Sequence, residues 1–416
     1  MPYHQRVVDD ELAARLASSG AVVIEGPKGC GKTATARRVA ASEVLLDVDE
    51  SARAAIGIDP NLVLTGPTPR LLDEWQIEPR IWNHIRRAVD DRQRPGQFIL
   101  TGSAVPADDI TRHTGAGRLT RLRMRPMSLF ELGHATGAVS LLALLDGRAV
   151  RSPDSAPTVA DIAEFIVVGG WPGNLTRTAA QSAQAVRDYL EEIRRVDIAR
   201  LDDRAREPLK VGRLIRAIAR HVATEATIAT ISADAGGADG VPARDTIANY
   251  LSALERLMII EDQPAWSPHL RSRSRIRSAP KRHFVDPSLA AAALRATPDR
   301  LLKDLKLLGL LFESLVIRDL RVYAQAADAS VLHYRDNTGL EVDAIVETAD
   351  GRWAAFEVKL GQSHVDEAAS TLLKFADRVD TARCGRPAVL AVIVSTGFGY
   401  VRADGVAVIP VCSLGP

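Results

Sequence analysis

Apolar residues along this chain change their rhythm several times, and each rhythm predicts a different kind of element. Over residues 6–132, short unbroken apolar runs alternate with helix-length stretches. Ala21-Val22-Val23-Ile24 and Phe98-Ile99-Leu100 are the clearest runs, with the length expected of buried strands in an α/β fold. Residues 119–124 instead alternate Arg121 and Arg123 with Leu122 and Met124, which predicts a half-exposed strand. A Pro/Ser-rich stretch at 151–158 reads as a linker. Helical periodicity follows at 159–168, breaks at Gly169-Gly170-Trp171-Pro172-Gly173, and resumes through 179–195, predicting an all-helical lid over 136–205. From 209 to 261 the pattern is helix, short helix, turn, helix, with Tyr250, Leu251, Leu254 and Leu257 on one helical face. The Gly236-Gly237 turn before that last helix suits a winged helix-turn-helix over 206–285. From 286 onward, a helix carrying Val316, Ile317 and Leu320 precedes strands at 331–334, 340–346 and 352–360.

The first buried run leads straight into Gly26-Pro27-Lys28-Gly29-Cys30-Gly31-Lys32-Thr33, a full match to the phosphate-cradling pattern G-x-x-x-x-G-K-[ST]. Helix-prone residues 34–41 follow it. That is the strand, loop and helix order the chemistry needs, because backbone N–H groups and the helix dipole then converge on an anion. The pattern predicts ATP as ligand, with Lys32 reaching the β- and γ-phosphates and the Thr33 hydroxyl on Mg²⁺. Leu71-Leu72-Asp73-Glu74 supplies two carboxylates at the end of a second apolar pair. Asp73 is expected in the Mg²⁺ shell, and Glu74 as the group that polarises the attacking water. The bland reading of Asp73 and Glu74 is a solvated acidic pair in a loop. Thr101 and Ser103 close the third run, where they could sense the γ-phosphate at the carboxyl edge of the sheet. Arg118, after the glycines of 113–117, is a candidate arginine finger acting in cis or across a subunit boundary.

Composition narrows the picture only a little. The 416 residues suffice for two to four domains. A net charge of +1 gives no global nucleic-acid signature, so any basic surface must be local. Three scattered cysteines, Cys30, Cys384 and Cys412, fit a reducing cytoplasm and no disulfide framework. No signal peptide and no membrane-length apolar stretch is evident. The local basic surface is predicted at 262–283, where Arg271, Arg273, Arg275, Arg277, Lys281 and Arg282 would form a wing touching DNA phosphates, the competing readings being a flexible charged hairpin with no ligand or a protein-docking or structural module.

The carboxyl-terminal block holds a second constellation. Residues two apart share a face of a strand, so Glu357 and Lys359 point the same way. A turn near Asp350-Gly351 would bring Asp343 beside Glu357. Two such carboxylates, with Glu313 from the preceding helix, could hold metal while Lys359 orients a water. A plain cross-strand charge pair is the competing reading.

These motifs together resemble the bacterial and archaeal AAA-type ATPases with a carboxyl-terminal DUF4143 domain. The resemblance rests on the phosphate loop, Leu71 to Gln76 with Pro79, 98–103, and Arg125-Pro126-Met127-Ser128-Leu129-Phe130-Glu131. It also rests on Gly169-Gly170-Trp171-Pro172, Phe284-Val285-Asp286, and 309–313 with Asp343 and Glu357-Val358-Lys359. It implies a P-loop ATPase core at 1–135, the helical lid at 136–205, the winged-helix segment at 206–285, and a domain similar to PD-(D/E)XK restriction endonucleases at 286–416. Leu340-Glu341-Val342-Asp343 departs from the Pro-Asp dipeptide of active nucleases. Two functions follow as alternatives. One is an ATPase associated with nucleic acid, with a metal-dependent nuclease domain and DNA or further copies of itself as partners. The other is an ATP-switched regulatory or scaffold protein whose terminal domain cuts nothing.

Overall fold

A computed structural model describes residues 3–102, 114–155, 157–199, 201, 206–237, 240–267 and 279–416. The amino-terminal unit is a parallel sheet of β1 (Ala21–Glu25), β2 (Ser42–Leu45), β3 (Arg70–Asp73), β4 (Phe98–Gly102) and β5 (Leu119–Arg123), in the order β2-β3-β4-β1-β5. Alternate residues of β1 feed two separate cores. Val22 and Ile24 pack with Leu12 and Leu16 of α1 (Val8–Ser18), while Ala21 and Val23 share a core with Ile85 and Val89 of the helix Ile81–Arg92. Burial on both faces is why β1 reads as an unbroken apolar run. The half-exposed strand is β5, with Leu122 fully buried and Arg121 and Arg123 reaching solvent.

With α2 (Lys32–Arg37) and α3 (Ile81–Arg92) preceding them, α4 (Val159–Val168) starts on a Thr158–Asp161 capping box and α5 (Ala179–Glu192) on a Thr178–Gln181 one. A π-helical turn, Ile193–Asp197, extends α5. Then come α6 (Pro208–Arg220), α7 (Ile228–Ala235) and α8 (Arg244–Arg256), followed by the antiparallel hairpin of two further strands.

The region 136–205 is not all helical. Residues Val139–Ser140 (β6) pair with the chain's last strand, and Ser152–Ser155 (β7) forms the edge of the carboxyl-terminal sheet. Residues 152–155 of the stretch expected as a linker are therefore a strand. Pro153 is tolerated there because an edge strand need not donate every backbone N–H.

The hairpin strands are β8 (Ile260–Gln263) and β9 (Lys281–Phe284). After α9 (Pro287–Ala293), the long α10 (Leu305–Ala326) crosses between the units, and its middle is buried on all sides. The second sheet contains β10 (Ala329–Arg335), β11 (Glu341–Thr348), β12 (Trp353–Lys359), β13 (Val389–Val394), β14 (Gly397–Val401) and β15 (Ala407–Pro410), in the order β10-β11-β12-β13-β15-β14-β7. β16 (Leu414–Gly415) pairs with β6. Helix α11 (Val365–Arg378) covers one face through Leu372 and Phe375, packed with Trp353 and Val392. No helix among the described residues is long and apolar enough to cross a membrane.

Three of the sequence signatures meet at one buried ion cluster. Arg318 on α10 donates to Asp286 at 2.9 Å and to Asp319 at 2.8 Å, with all three side chains at most 1% exposed. Asp286 also accepts from Gly170 N at 2.9 Å, and Asp319 from Leu129 N at 3.0 Å. Gly170 has to be glycine here, since a Cβ would lie 2.1 Å from the Met127 carbonyl oxygen. Ser128-Leu129, Gly169-Gly170 and Val285-Asp286 are thus parts of one joint between the two sheets.

Candidate functional site

At the end of β1 the chain turns through the phosphate loop, where Gly29 and Gly31 adopt left-handed φ of +75° and +106°. Side chains with a Cβ rarely adopt that backbone. Helix α2 begins at Lys32, whose Nζ donates to the carbonyls of Gly26 and Pro27, both at 2.9 Å. The ammonium is thus folded back across the loop. Thr33 Oγ1 donates to Asp73 Oδ1 at 2.9 Å, and Thr101 Oγ1 donates to the same oxygen. The β3–β4 register sets Asp73 opposite Thr101, and the β4–β1 register sets Thr101 opposite Ile24, one residue before the end of β1. Asp73 and Thr101 are both buried, so the solvated loop reading of the acidic pair does not hold for Asp73.

Glu74 follows in the left-handed region (φ 53°), and Gln76 Nε2 donates to its carboxylate. The loop is braced from behind by Arg6, which donates to Cys30 O at 2.8 Å, Arg125 O at 2.7 Å and Glu131 Oε1 at 3.0 Å. Asp197 of the π-helical turn pairs with Lys28 of the loop. Arg6 and Asp197 carry no local sequence signal, whereas Gln76 closes the Leu71-to-Gln76 motif without a role of its own being read from it. Arg6 acts on groups 24 and 125 positions away, a distance no motif spans.

Two expectations fare differently. Arg118 lies at the amino edge of the sheet, where its carbonyl accepts from Ala21 N at 3.2 Å. The phosphate loop leaves the opposite end of β1, five residues on, or about 15 Å at the strand rise. The guanidinium bonds Asp90 at 2.8 Å, so contact with its own chain's phosphate loop is excluded and only contact with another copy survives. Ser103 lies outside the described residues.

The carboxyl-terminal constellation does converge. Pairing of β11 with β12 ends at Ala344 opposite Phe356, so Asp343 and Glu357 stand one step beyond the last paired residues. There Asp343 Oδ2 accepts from Val358 N at 2.9 Å, replacing a ladder bond with a side-chain one. Lys359 Nζ is 2.6 Å from Glu357 and 3.5 Å from Asp343. Glu313 faces them from α10, but a residue the sequence did not point to stands between. Lys281 Nζ donates to Glu313 Oε1 at 2.9 Å and to Asp343 Oδ1 at 3.1 Å.

Burial pushes the Glu357 carboxyl up to about 8 and that of Glu313 to about 7, and the nearby Asp343 charge adds to both. Burial acts upward on Asp343 too, yet Lys281 and Lys359 together hold it at about 2. The Mg²⁺ of a nuclease does not fit this arrangement. An ammonium already bridges Glu313 and Asp343, and no group of three His, Cys, Asp or Glu among the described residues is arranged to hold a metal.

Lys281 is also a correction to the basic wing. It is 4% exposed, and Arg282, paired with Asp262 at 3.2 Å, is 8% exposed. Neither is placed to touch DNA phosphates. A charge run in sequence cannot tell a solvated face from a buried ion pair. Arg271, Arg273, Arg275 and Arg277 lie outside the described residues.

Fold and loop define a P-loop nucleotide-binding core. Residues 18–133 match the family model of an AAA domain, 159–300 that of a domain of unknown function (DUF8612), and 308–414 that of a domain of unknown function (DUF4143). The chain therefore joins an AAA-type ATPase domain to a carboxyl-terminal DUF4143 domain, the family its motifs resemble. No curated protein matches it. Among solved structures it is similar to a Walker-type ATPase of Pyrococcus abyssi, at 14% identity and TM-score 0.40, covering 69% of this chain and 94% of that one. It is also similar to the ORC2 protein of Aeropyrum pernix in ADPNP–ADP complexes, at 13% identity and TM-score 0.32, covering 70% and 92%. Scores this low carry neither site nor partner across to this chain.

Proposed function

We propose that this protein is a Mg²⁺-dependent ATPase in which the nucleotide state is relayed along α10 to the carboxyl-terminal domain. One observation carries the reading: two hydroxyls, from Thr33 on the loop helix and Thr101 on β4, converge on the Asp73 carboxylate at the mouth of the phosphate loop. The residues fit the nucleotide. Lys32 would exchange its two loop carbonyls for the β- and γ-phosphates. Thr33 and Asp73 would hold Mg²⁺, which neutralises charge developing on the phosphate oxygens. Glu74, steadied by Gln76, would orient and deprotonate the attacking water. Arg6 and the Arg318 cluster supply a continuous set of buried contacts from Cys30 through Glu131 and Leu129 to α10.

Nucleic-acid association is the finer part of the proposal. What supports it is the order α6-α7-α8 followed by the β8–β9 hairpin, with a third strand position supplied by the Thr224–Arg282 bridge. The alternative, a regulatory or scaffold protein, is favoured by Lys281, because it fills the corner of the carboxylate cluster that a cleaving metal would need. The exposed polar residues of α8, Arg244, Asp245, Ser252 and Glu255, are also mixed in charge rather than basic.

Phosphate release tests the ATPase reading and the remaining role of Arg118 together. Wild type should release phosphate from ATP, and Lys32→Ala should not. An Arg118→Ala protein should be slowed about a thousandfold if it is a finger in trans, and mixing the two variants should restore part of the rate. An inactive wild type sinks the ATPase proposal. A fully active Arg118→Ala removes this arginine from the mechanism and leaves the rest standing.

A further inference from the structure

The carboxylate cluster is satisfied by the chain itself. Glu313, Asp343 and Glu357 come from three elements, and Lys281 and Lys359 from two, so five buried or half-buried charges meet in one corner. Asp343 is the centre: it faces both ammonium groups and accepts a backbone N–H besides. A lysine as deep as Lys281 remains charged only if carboxylates surround it, and here two do. A divalent ion would need oxygens of Glu313 and Asp343 at about 2.0–2.6 Å at once, in the space where the ammonium sits.

The hairpin that delivers Lys281 is fastened at neighbouring points as well. Gln263, paired with Lys281 across the hairpin, donates its Nε2 to Asp343 O and to Leu332 O, both at 2.9 Å. His283 Nδ1 lies 3.1 Å from Ser314 Oγ on α10, and its Nε2 lies 3.1 Å from Gln263 Oε1. Burial, with Arg321 and Lys281 close by, pushes the His283 imidazole well below its usual range, so it bonds as a neutral ring. Beyond the hairpin, Trp266 N donates to His333 O at 2.6 Å and His333 N to Pro264 O at 2.9 Å. Apart from the His283–Gln263 contact, which ties β9 to β8, each of these joins β8, β9 or the residues just after β8 to α10, β10 or β11.

We propose that Lys281 is the resident cation of this cluster, standing where a divalent ion would stand, and that the cluster is a latch fastening the β8–β9 hairpin to the carboxyl-terminal domain. The domain then keeps the carboxylate geometry for anchoring rather than for metal-dependent cleavage. The helical segment and the terminal sheet move as one body while the latch is closed. The inference is independent of the ATPase reading, since no part of it involves the phosphate loop.

The test is a calorimetric titration of the intact, nucleotide-free protein with Mn²⁺, run on four forms: wild type, Asp343→Asn, Lys281→Met, and the Lys281→Met/Asp343→Asn double variant. Wild type and Asp343→Asn should give the same isotherm. Lys281→Met should gain one Mn²⁺ site per chain, and the double variant should lose it. Hydrogen exchange adds a second reading. The amides of β9 should exchange at least tenfold faster in Lys281→Met, with those of β1 unchanged. Mn²⁺ uptake by wild type that disappears in Asp343→Asn overturns the proposal, and this comparison stands even if Lys281→Met fails to fold. A folded Lys281→Met that gains no site, or whose β9 exchanges at the wild-type rate, overturns it equally.

Discussion

Lys32→Ala is expected to leave a folded protein that neither holds nor hydrolyses ATP, with turnover down about a hundredfold or more. The Lys32 Nζ already sits across the phosphate loop, 2.9 Å from each of two loop carbonyls. Removing a preorganised charge aimed at a phosphate costs roughly two to three powers of ten in rate. The fold should survive, because the two bonds of the ammonium are to carbonyls of the loop itself and not to the cores on either side of β1. Equilibrium binding of a fluorescent ATP analogue, with circular dichroism as the folding control, checks both halves. Wild-type affinity in the variant would place the nucleotide elsewhere.

Arg318→Met should cost far more in stability than any change at the nucleotide site. It removes the cation that bridges Asp286 and Asp319, and both carboxylates are fully buried. Deleting one partner of a buried ion cluster costs about 3–5 kcal/mol, since the remaining charges stay behind without compensation. Much of the stability of an ordinary domain, about 5–15 kcal/mol, would be lost. Chemical denaturation should show a midpoint shifted well below wild type. Replacing all three by apolar residues should recover part of that loss. An Arg318→Met protein as stable as wild type would mean that the joint is not what holds the two sheets together.

The amino-terminal site was legible because its signals are local. The phosphate loop is a continuous motif, and β1 and β4 are apolar runs that burial on both faces demands. Strand alternation with one hairpin was enough to bring Asp343, Glu357 and Lys359 to one corner. What the sequence concealed depends on contacts between distant segments. Arg118 reads as a finger for its own site, but the parallel register of β5 with β1 sets it at the far end of the strands from the phosphate loop and leaves only contact with another copy. The Pro/Ser composition of 151–158 describes a loop equally well as an edge strand, and only β14 decides between them. Lys281 belongs by composition to a basic run. Its partners lie 32 and 62 residues further on, and nothing in its own neighbourhood announces them.

The account rests most heavily on ATP hydrolysis at Asp73 and Glu74, and single-turnover hydrolysis tests that most directly. Protein preloaded with radiolabelled ATP would be given either Mg²⁺ or a chelator, in wild type and in Glu74→Gln. Wild type should release labelled phosphate only with Mg²⁺, while Glu74→Gln should retain intact ATP, because the amide cannot take the proton of the attacking water. Hydrolysis by wild type in the presence of the chelator, or by Glu74→Gln at the wild-type rate, would contradict the account.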